Sequence, residues 1–346
     1  MNYFTKNILH WHYTQNQRQL PWKGEQDPYK IWLSEIILQQ TRAEQGLKYY
    51  QNFIHSFPTI TDLASAKDDV VFKMWEGLGY YNRCRNLLFT ARQIANVGTG
   101  FPTQYNDILA LKGVGNYTAA AIASFAYNLP YAVVDGNVYR VLSRYTGNAT
   151  PIDSTEGKKH FATLAQSLLP TNDAANYNQA IMDFGATVCK PKLANCNNCI
   201  LQKKCIAYQT NTVYELPIKT KKIDIKKRTF TYYIISYAKQ ILVHQRTEND
   251  VWKDLYEFVN MEEPNTEKKY LQQLGITNYK IISTSIPYLQ KLTHQHITAQ
   301  FVCITIPTLV NIKGYNWVNK NAFSKLSFPA IINNFLQNDS FQQLFD

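Results

Sequence analysis

A chain of 346 residues with 45% hydrophobic and 18% charged residues is long enough for two or three domains and too apolar for wholesale disorder. Its formal net charge of +11 favours a polyanionic partner, either nucleic acid or an anionic membrane surface. The opening MNYFTKNILHWHYTQNQRQLPW lacks the apolar core of a secretory signal, and no run approaches the ~18 apolar residues of a membrane span, so the expectation is a cytoplasmic chain with reduced cysteines.

Residues 1–210 read as mainly helical, with apolar residues recurring at three and four in Ile31–Leu38, Val70–Trp75, Leu87–Ile94 and Val138–Tyr145. Glu35 is the lone charge within Ile31–Leu38. Burial there would raise its pKa and let it hold a proton near neutral pH, as a general acid must; the competing reading is a structural Glu paired with an arginine. Leu109–Thr118 reads LALKGVGNYT. A helical segment Asp107–Lys112, a turn at Gly113 and Gly115, and a small-residue helix from Tyr117 would leave backbone N–H groups facing a phosphate; otherwise it is only a tight turn between helices.

Asp135 stands just before the helix Val138–Tyr145. A cap position supplies N–H donors that keep a carboxylate ionised, although a cap can be only a cap. One proton-holding carboxyl and one ionised carboxylate suit cleavage of a glycosidic bond through an oxocarbenium-like state. Cys189, Cys196, Cys199 and Cys205 follow at spacings of six, two and five residues. Four thiolates so close suit one zinc or iron–sulfur centre, and spacing alone leaves the metal open. Lys190, Lys192, Lys203 and Lys204 surround them, consistent with a basic loop held against phosphates or with electron transfer. Residues 211–229, with Lys219, Lys221, Lys222, Lys226, Lys227 and Arg228, read as an exposed basic linker, either solvated or phosphate-contacting.

From residue 230 to 346 the texture becomes α+β. Strands are expected at Thr229–Tyr237, Ile241–Gln245, Ile281–Ser285, Ile297–Ile306 and Tyr315–Val318, and helices near Glu267–Leu274 and Ala330–Gln337. His294 and His296 share one strand face or form an incomplete metal pair.

Five motifs then stand in order: Leu33-Ser34-Glu35-Ile36-Ile37-Leu38-Gln39-Gln40-Thr41, Gly77-Leu78-Gly79-Tyr80-Tyr81, the Gly113-Val114-Gly115 hairpin, Val134-Asp135-Gly136-Asn137-Val138-Tyr139-Arg140-Val141, and the cysteine quartet. Together they resemble adenine DNA glycosylases of the MutY type, within the endonuclease III superfamily of helix-hairpin-helix enzymes. The resemblance spans nearly the whole chain. It implies an all-α glycosylase region followed by a Nudix-like α+β domain, and a [4Fe–4S] cluster on Cys189, Cys196, Cys199 and Cys205. It also implies excision of adenine opposite 8-oxoguanine or guanine in double-stranded DNA, by a monomer associated with the nucleoid.

By the same resemblance Glu35 matches the acid that protonates adenine at N7, Asp135 the carboxylate that stabilises the sugar cation, and Asn137 a residue that positions the site. Gln39, Gln40, Thr41 and Tyr80 lie in segments matched to the extruded base and the gap it leaves. Tyr117 stands where strand-cleaving relatives carry a Schiff-base lysine, which implies a monofunctional enzyme. Lys112 departs from the family's usual proline and adds a cation beside the hairpin. Arg246, Trp252–Phe258 and Lys291–His294 match the Nudix-like part, with Thr293 and His294 aligned to the pair that reads 8-oxoguanine. Residues 230–346 contain no Arg-Glu-x-x-Glu-Glu hydrolase box, so this part is expected to read bases and not to hydrolyse pyrophosphates. The alternatives are another helix-hairpin-helix glycosylase, whose endonuclease III-like members lack the C-terminal part, and a non-catalytic cluster-bearing DNA-binding protein, against which the presence of both Glu35 and Asp135 argues.

Overall fold

Pro28 fixes the first turn of a helix, and the Asp27 side chain caps it by accepting the Tyr29 N–H at 2.9 Å. The helix Pro28–Leu38 is then apolar on every side and buries Ile31 through Ile37, which places it inside the protein and not on its surface. The computed structural model describes residues 2–220, 224–262, 267–337, 341 and 344. Contacts divide the chain into two compact units, one of Met1–Ser65 with Arg85–Lys221 and one of Ala66–Cys84 with Lys222–Asp346.

The first unit is helical. One core joins Phe4, Ile8 and Trp11 of the helix Tyr3–Thr14, Val138, Val141 and Leu142 of Gly136–Thr146, and Tyr177, Ile181 and Phe184 of Ala174–Thr187. The short helix Tyr105–Leu109 and the helix Asn116–Tyr127 form the hairpin. Among the described residues no helix is long and apolar enough to cross a membrane.

The second unit carries one mixed sheet. Its strands are β1 (Lys226–Tyr237), β2 (Gln240–Gln245), β3 (Tyr256–Glu257), β4 (Val259–Glu262), β5 (Lys280–Thr284), β6 (Tyr288–Lys291), β7 (Gln295–Thr305) and β8 (Tyr315–Asn319). The order β3-β2-β1-β7-β5 holds the central pair β1–β7 parallel, from Lys226 opposite Gln295 to Ser236 opposite Thr305, with every other pairing antiparallel. β1 is buried without a break from Tyr232 to Ser236, as a central strand covered on both faces should be. Tyr233, Ile235, Val302 and Ile304 pack with Leu271 and Ile276. Phe301 stacks on Phe335 of the helix Ala330–Leu336 at 4.2 Å.

Residues 211–229 differ from an exposed linker at both ends. Val213 and Leu216 are buried with Ala207, Leu216 O accepts from Arg144, and Ile218 O accepts the Ile152 N–H. Lys226–Arg228 already belong to β1 because its parallel partner reaches back to Gln295. The basic character of the segment hid two apolar anchors and a strand start. Lys221 and Lys222 lie outside the described residues.

Candidate active site and cysteine loop

Glu35 is the one charged side chain inside the buried stretch of Pro28–Leu38, at 8% exposure. Burial pushes its carboxyl up to about 7, and the nearby Asp135 charge adds to the rise, while the Tyr117 hydroxyl opposes it. The sequence alternative of an arginine partner is not seen, since the groups acting on Glu35 are Tyr117 and Asp135. Tyr117 lies in the first turn of Asn116–Tyr127, and its hydroxyl also points at Met182 Sδ, 3.8 Å away. Burial and the neighbouring Glu35 keep that phenol protonated well above its usual range.

Asp135 caps the helix Gly136–Thr146: Oδ1 accepts the Val138 N–H at 2.8 Å and Oδ2 accepts Asn137 Nδ2 at 2.7 Å. Burial raises its pKa, and these donors together with the Arg140 charge pull it back without cancelling the rise. Since Asp135 holds two donors, the single negative charge of the Glu35–Asp135 pair belongs on Asp135 and the proton on Glu35. The approach to Asp135 is pinned by Asn178, 1% exposed, which accepts the Val133 N–H and donates to Ser124 Oγ and Tyr131 O.

Arg140 carried no role in the sequence reading, although it stands within the motif around Asp135. Its Nη2 donates to Asn137 Oδ1 at 2.8 Å and to Gly185 O at 2.7 Å, and its Nε donates to Cys189 O at 2.7 Å. The loop that carries Asp135 and Asn137 and the start of the cysteine loop thus share one guanidinium. Gly185 permits this approach: a Cβ there would stand 2.7 Å from the Asn137 Cβ and 2.9 Å from its carbonyl oxygen. Gly185→Ala should cost about 1–3 kcal/mol of stability and lower excision by moving Asn137. Thermal unfolding and a glycosylase assay on the same sample check both; wild-type values for both would exclude the crowding.

The hairpin turn lies just before Tyr117. Gly113 has φ +82°, and a Cβ there would meet the Asn86 side chain at 2.8 Å, so this position needs glycine. Gly115 is the N-cap of Asn116–Tyr127 and no side chain caps that helix. The turn before it is exposed at Gly113 and Gly115, and an uncapped helix start is where backbone N–H groups can meet an anion. Lys112, where the family's proline is missing, places Nζ 4.3 Å over Phe89, and its carbonyl accepts from Thr90 Oγ1. Gln39, just past the helix Pro28–Leu38, reaches Thr118 Oγ1 at 3.4 Å. Gln40 is exposed with φ +57°, and Thr41 Oγ1 donates to Gln39 O.

Cys189, Cys196, Cys199 and Cys205 are all half-buried free thiols. They lie near enough to act on one another electrically, and burial with its neighbours pushes the Cys199 thiol up to about 12. Arg144 runs beneath them, with Nη1 3.5 Å from Cys189 Sγ and hydrogen bonds to Lys190 O and Pro191 O. Lys190, Lys192, Lys203 and Lys204 are exposed around the loop. Among the described residues no three His, Cys, Asp or Glu side chains stand close enough to hold a single metal ion. That holds equally for His294 and His296.

In the second unit, Thr293 and His294 are exposed in the turn between β6 and β7. The His294 carbonyl accepts the Lys226 N–H at 2.9 Å. Tyr80, 44% exposed, sets its hydroxyl against that of Thr293. Acidic groups that could serve hydrolysis are tied to arginines: Glu257 to Arg246 at 2.7 Å, and Asp250 to both Arg228 and Arg246.

The helical hairpin, the buried carboxyl and the following sheet define a base-excision glycosylase with a Nudix-like appendage. The profile of HhH-GPD superfamily base excision DNA repair proteins matches residues 33–167, and the NUDIX domain profile matches residues 231–338. The chain is 34% identical over 313 residues to the adenine DNA glycosylase of Buchnera aphidicola subsp. Schizaphis graminum (strain Sg), covering 90% of this chain and 88% of that one. It is 30% identical over 340 residues to the adenine DNA glycosylase of Buchnera aphidicola subsp. Acyrthosiphon pisum (strain APS), covering 97% of each. Among solved structures, a thermostable thymine-DNA glycosylase superposes with a TM-score of 0.55 at 32% identity, over 60% of this chain and 95% of that one. The chain belongs to the adenine DNA glycosylases, base-excision repair enzymes that hydrolyse the N-glycosidic bond of adenine.

Proposed function

We propose that the enzyme removes adenine lying opposite 8-oxoguanine or guanine in duplex DNA and leaves the strand uncut. The observation that carries the reading is a Glu35 that keeps its proton to about pH 7 beside an Asp135 furnished with two donors. Glu35 gives that proton to N7 of the extruded adenine. The C1′–N9 bond then breaks with its electron pair leaving on adenine, and the ionised Asp135 faces the oxocarbenium-like sugar. Water adds to C1′ and its proton returns to Glu35, so the products are free adenine and an abasic site. Asn137 and Arg140 hold Asp135 in place.

Tyr117 supports the absence of lyase chemistry, since a phenol cannot form the Schiff base that cutting the strand requires. The uncapped helix start after Gly115, with Lys112 and the lysines around the cysteines, suits the phosphates of one DNA strand. Gln39, Gln40 and Thr41 would line the extruded base. Thr293 and His294 would face the base it leaves behind.

Cys189, Cys196, Cys199 and Cys205 fit a [4Fe–4S] cluster by donor type, by their closeness in chain and space, and by the Arg144 cation beside Cys189 Sγ. When bound, the cluster would supply a rigid anchor for the basic loop.

One assay tests the reading. A duplex with adenine opposite 8-oxoguanine should show cleavage at the adenine only after alkali, and borohydride should trap no covalent adduct. Cleavage at another base, or cutting without alkali, would refute it. Monomeric mass in solution is expected alongside.

A further inference from the structure

The stretch Ala66–Cys84 lies in the helical part of the sequence yet clusters with the sheet-bearing unit. Three of its side chains tie it to the rest of that unit, and they recur at three and four along the chain. Lys73 Nζ donates to Leu326 O at 2.8 Å, Glu76 Oε1 accepts the Phe328 N–H at 2.8 Å, and Tyr80 meets Thr293. Lys73 and Glu76 also pair with each other at 2.8 Å. We propose that Lys73 and Glu76 form a clasp that positions the Gly77–Tyr81 loop on the Leu326–Phe328 turn, and that this clasp helps set the preference for 8-oxoguanine over guanine. The inference rests on the reading above that Thr293 and His294 face the base opposite adenine.

Both ends of the clasp are rigid. On one side, Ser327 O accepts the Tyr256 N–H of β3 at 2.9 Å, and Phe328 stacks on Phe323 and Phe258. On the other, Gly77, Gly79 and Tyr80 all have positive φ, a costly turn for Tyr80 unless its surroundings hold it. Trp75 Nε1 and Arg83 Nη2 both donate to Gly79 O, and the Arg83 guanidinium lies over the Trp75 and Tyr80 rings. The loop is therefore stiff within itself, and Lys73 and Glu76 bind its base to two backbone groups of the sheet's own turn. A stiff loop bound at its base delivers the Tyr80 hydroxyl to Thr293; released, it leaves Thr293 with its hydroxyl direction unset. Guanine differs from 8-oxoguanine at O8 and N7–H, so a hydroxyl that must choose between donating and accepting discriminates them only if its direction is fixed. Lys73 and Glu76 are thus positioning residues that touch no substrate.

The test is single-turnover excision of adenine opposite 8-oxoguanine and opposite guanine, on the full chain. Glu76→Ala should lower the ratio of the two rates by about tenfold, the effect of losing one charge-assisted hydrogen bond, through the 8-oxoguanine substrate alone. Glu76→Gln keeps an acceptor for the Phe328 N–H and should restore most of the ratio. Lys73→Met, which keeps the apolar stem, should shift the ratio in the same direction and serves if Glu76→Ala folds poorly. An unchanged ratio in both Glu76→Ala and Lys73→Met, or equal losses on both substrates, overturns the clasp. Thr293→Ala combined with His294→Ala separates the levels: if that variant also leaves the ratio unchanged, the reading of the turn fails, whereas a drop there alone defeats only the clasp.

Discussion

Glu35→Gln should yield a folded protein that binds mispaired duplex but excises adenine at least about a thousandfold more slowly, the range expected for loss of a general acid. The amide matches the carboxyl in shape and has no proton to give. In the parent enzyme, kcat/KM should fall as pH rises through about 7, because only protonated Glu35 is competent, and should fall again in acid as Asp135 takes up a proton. The same shift makes a stability prediction of opposite sign to the catalytic one. The folded pKa lies above the ordinary 4.5, so the folded state binds this proton more tightly than the unfolded chain does. That contribution is complete below about pH 4.5 and is lost as pH climbs to about 7. The loss at pH 8 relative to acid is up to ~3 kcal/mol, and the variant escapes it. Glu35→Gln should therefore unfold at a higher temperature than the parent at pH 8 and at the same temperature near pH 4. A variant that is inactive yet no more stable at pH 8 would place the carboxyl in a wetter site than the structure gives it.

Arg140→Ala should be the most damaging change outside the reacting groups. It strips donors from Asn137 Oδ1, Gly185 O and Cys189 O at once. Asn137 then loses the contact that fixes which way its amide faces, and Asp135 loses a firmly held donor. A displacement of catalytic groups by ~1 Å costs about a hundredfold in rate, which is the expected loss in excision. The cysteine loop loses its tie as well, so, under the proposed iron–sulfur reading, iron retained per chain after purification should fall in parallel. Arg140→Lys should not rescue either property, since one ammonium cannot reach acceptors that a planar fork spans. Normal iron content with lost excision would show that the guanidinium serves only the catalytic loop.

What could be read from the sequence was local. The repeat of apolar residues marks Pro28–Leu38, Asp68–Trp75 and Gly136–Thr146, and the β-branched runs mark β1, β2, β5, β7 and β8. Glu35 stood out because a lone charge in an apolar helix is conspicuous. Arg140, Gly185, Lys73 and Glu76 did not, because each acts on a residue distant in sequence and no periodic pattern announces such a meeting. β6 escaped notice because Tyr288–Lys291 is short and alternates half-buried with exposed residues. The upward pull on Asp135 is hidden from the sequence for a related reason: a cap signal reports nearby donors and says nothing about the surrounding protein that excludes water.

The membership of Ala66–Cys84 in the second unit bears on how the protein is made. This stretch leaves the ribosome early, but Leu326, Phe328 and Thr293, which hold it, are synthesised near the end. At roughly 5–20 residues per second, the wait is on the order of tens of seconds. Through that interval the ties of Lys73, Glu76 and Tyr80 to Leu326, Phe328 and Thr293 cannot yet form, so the nascent enzyme passes through a stage in which these three side chains still await those partners.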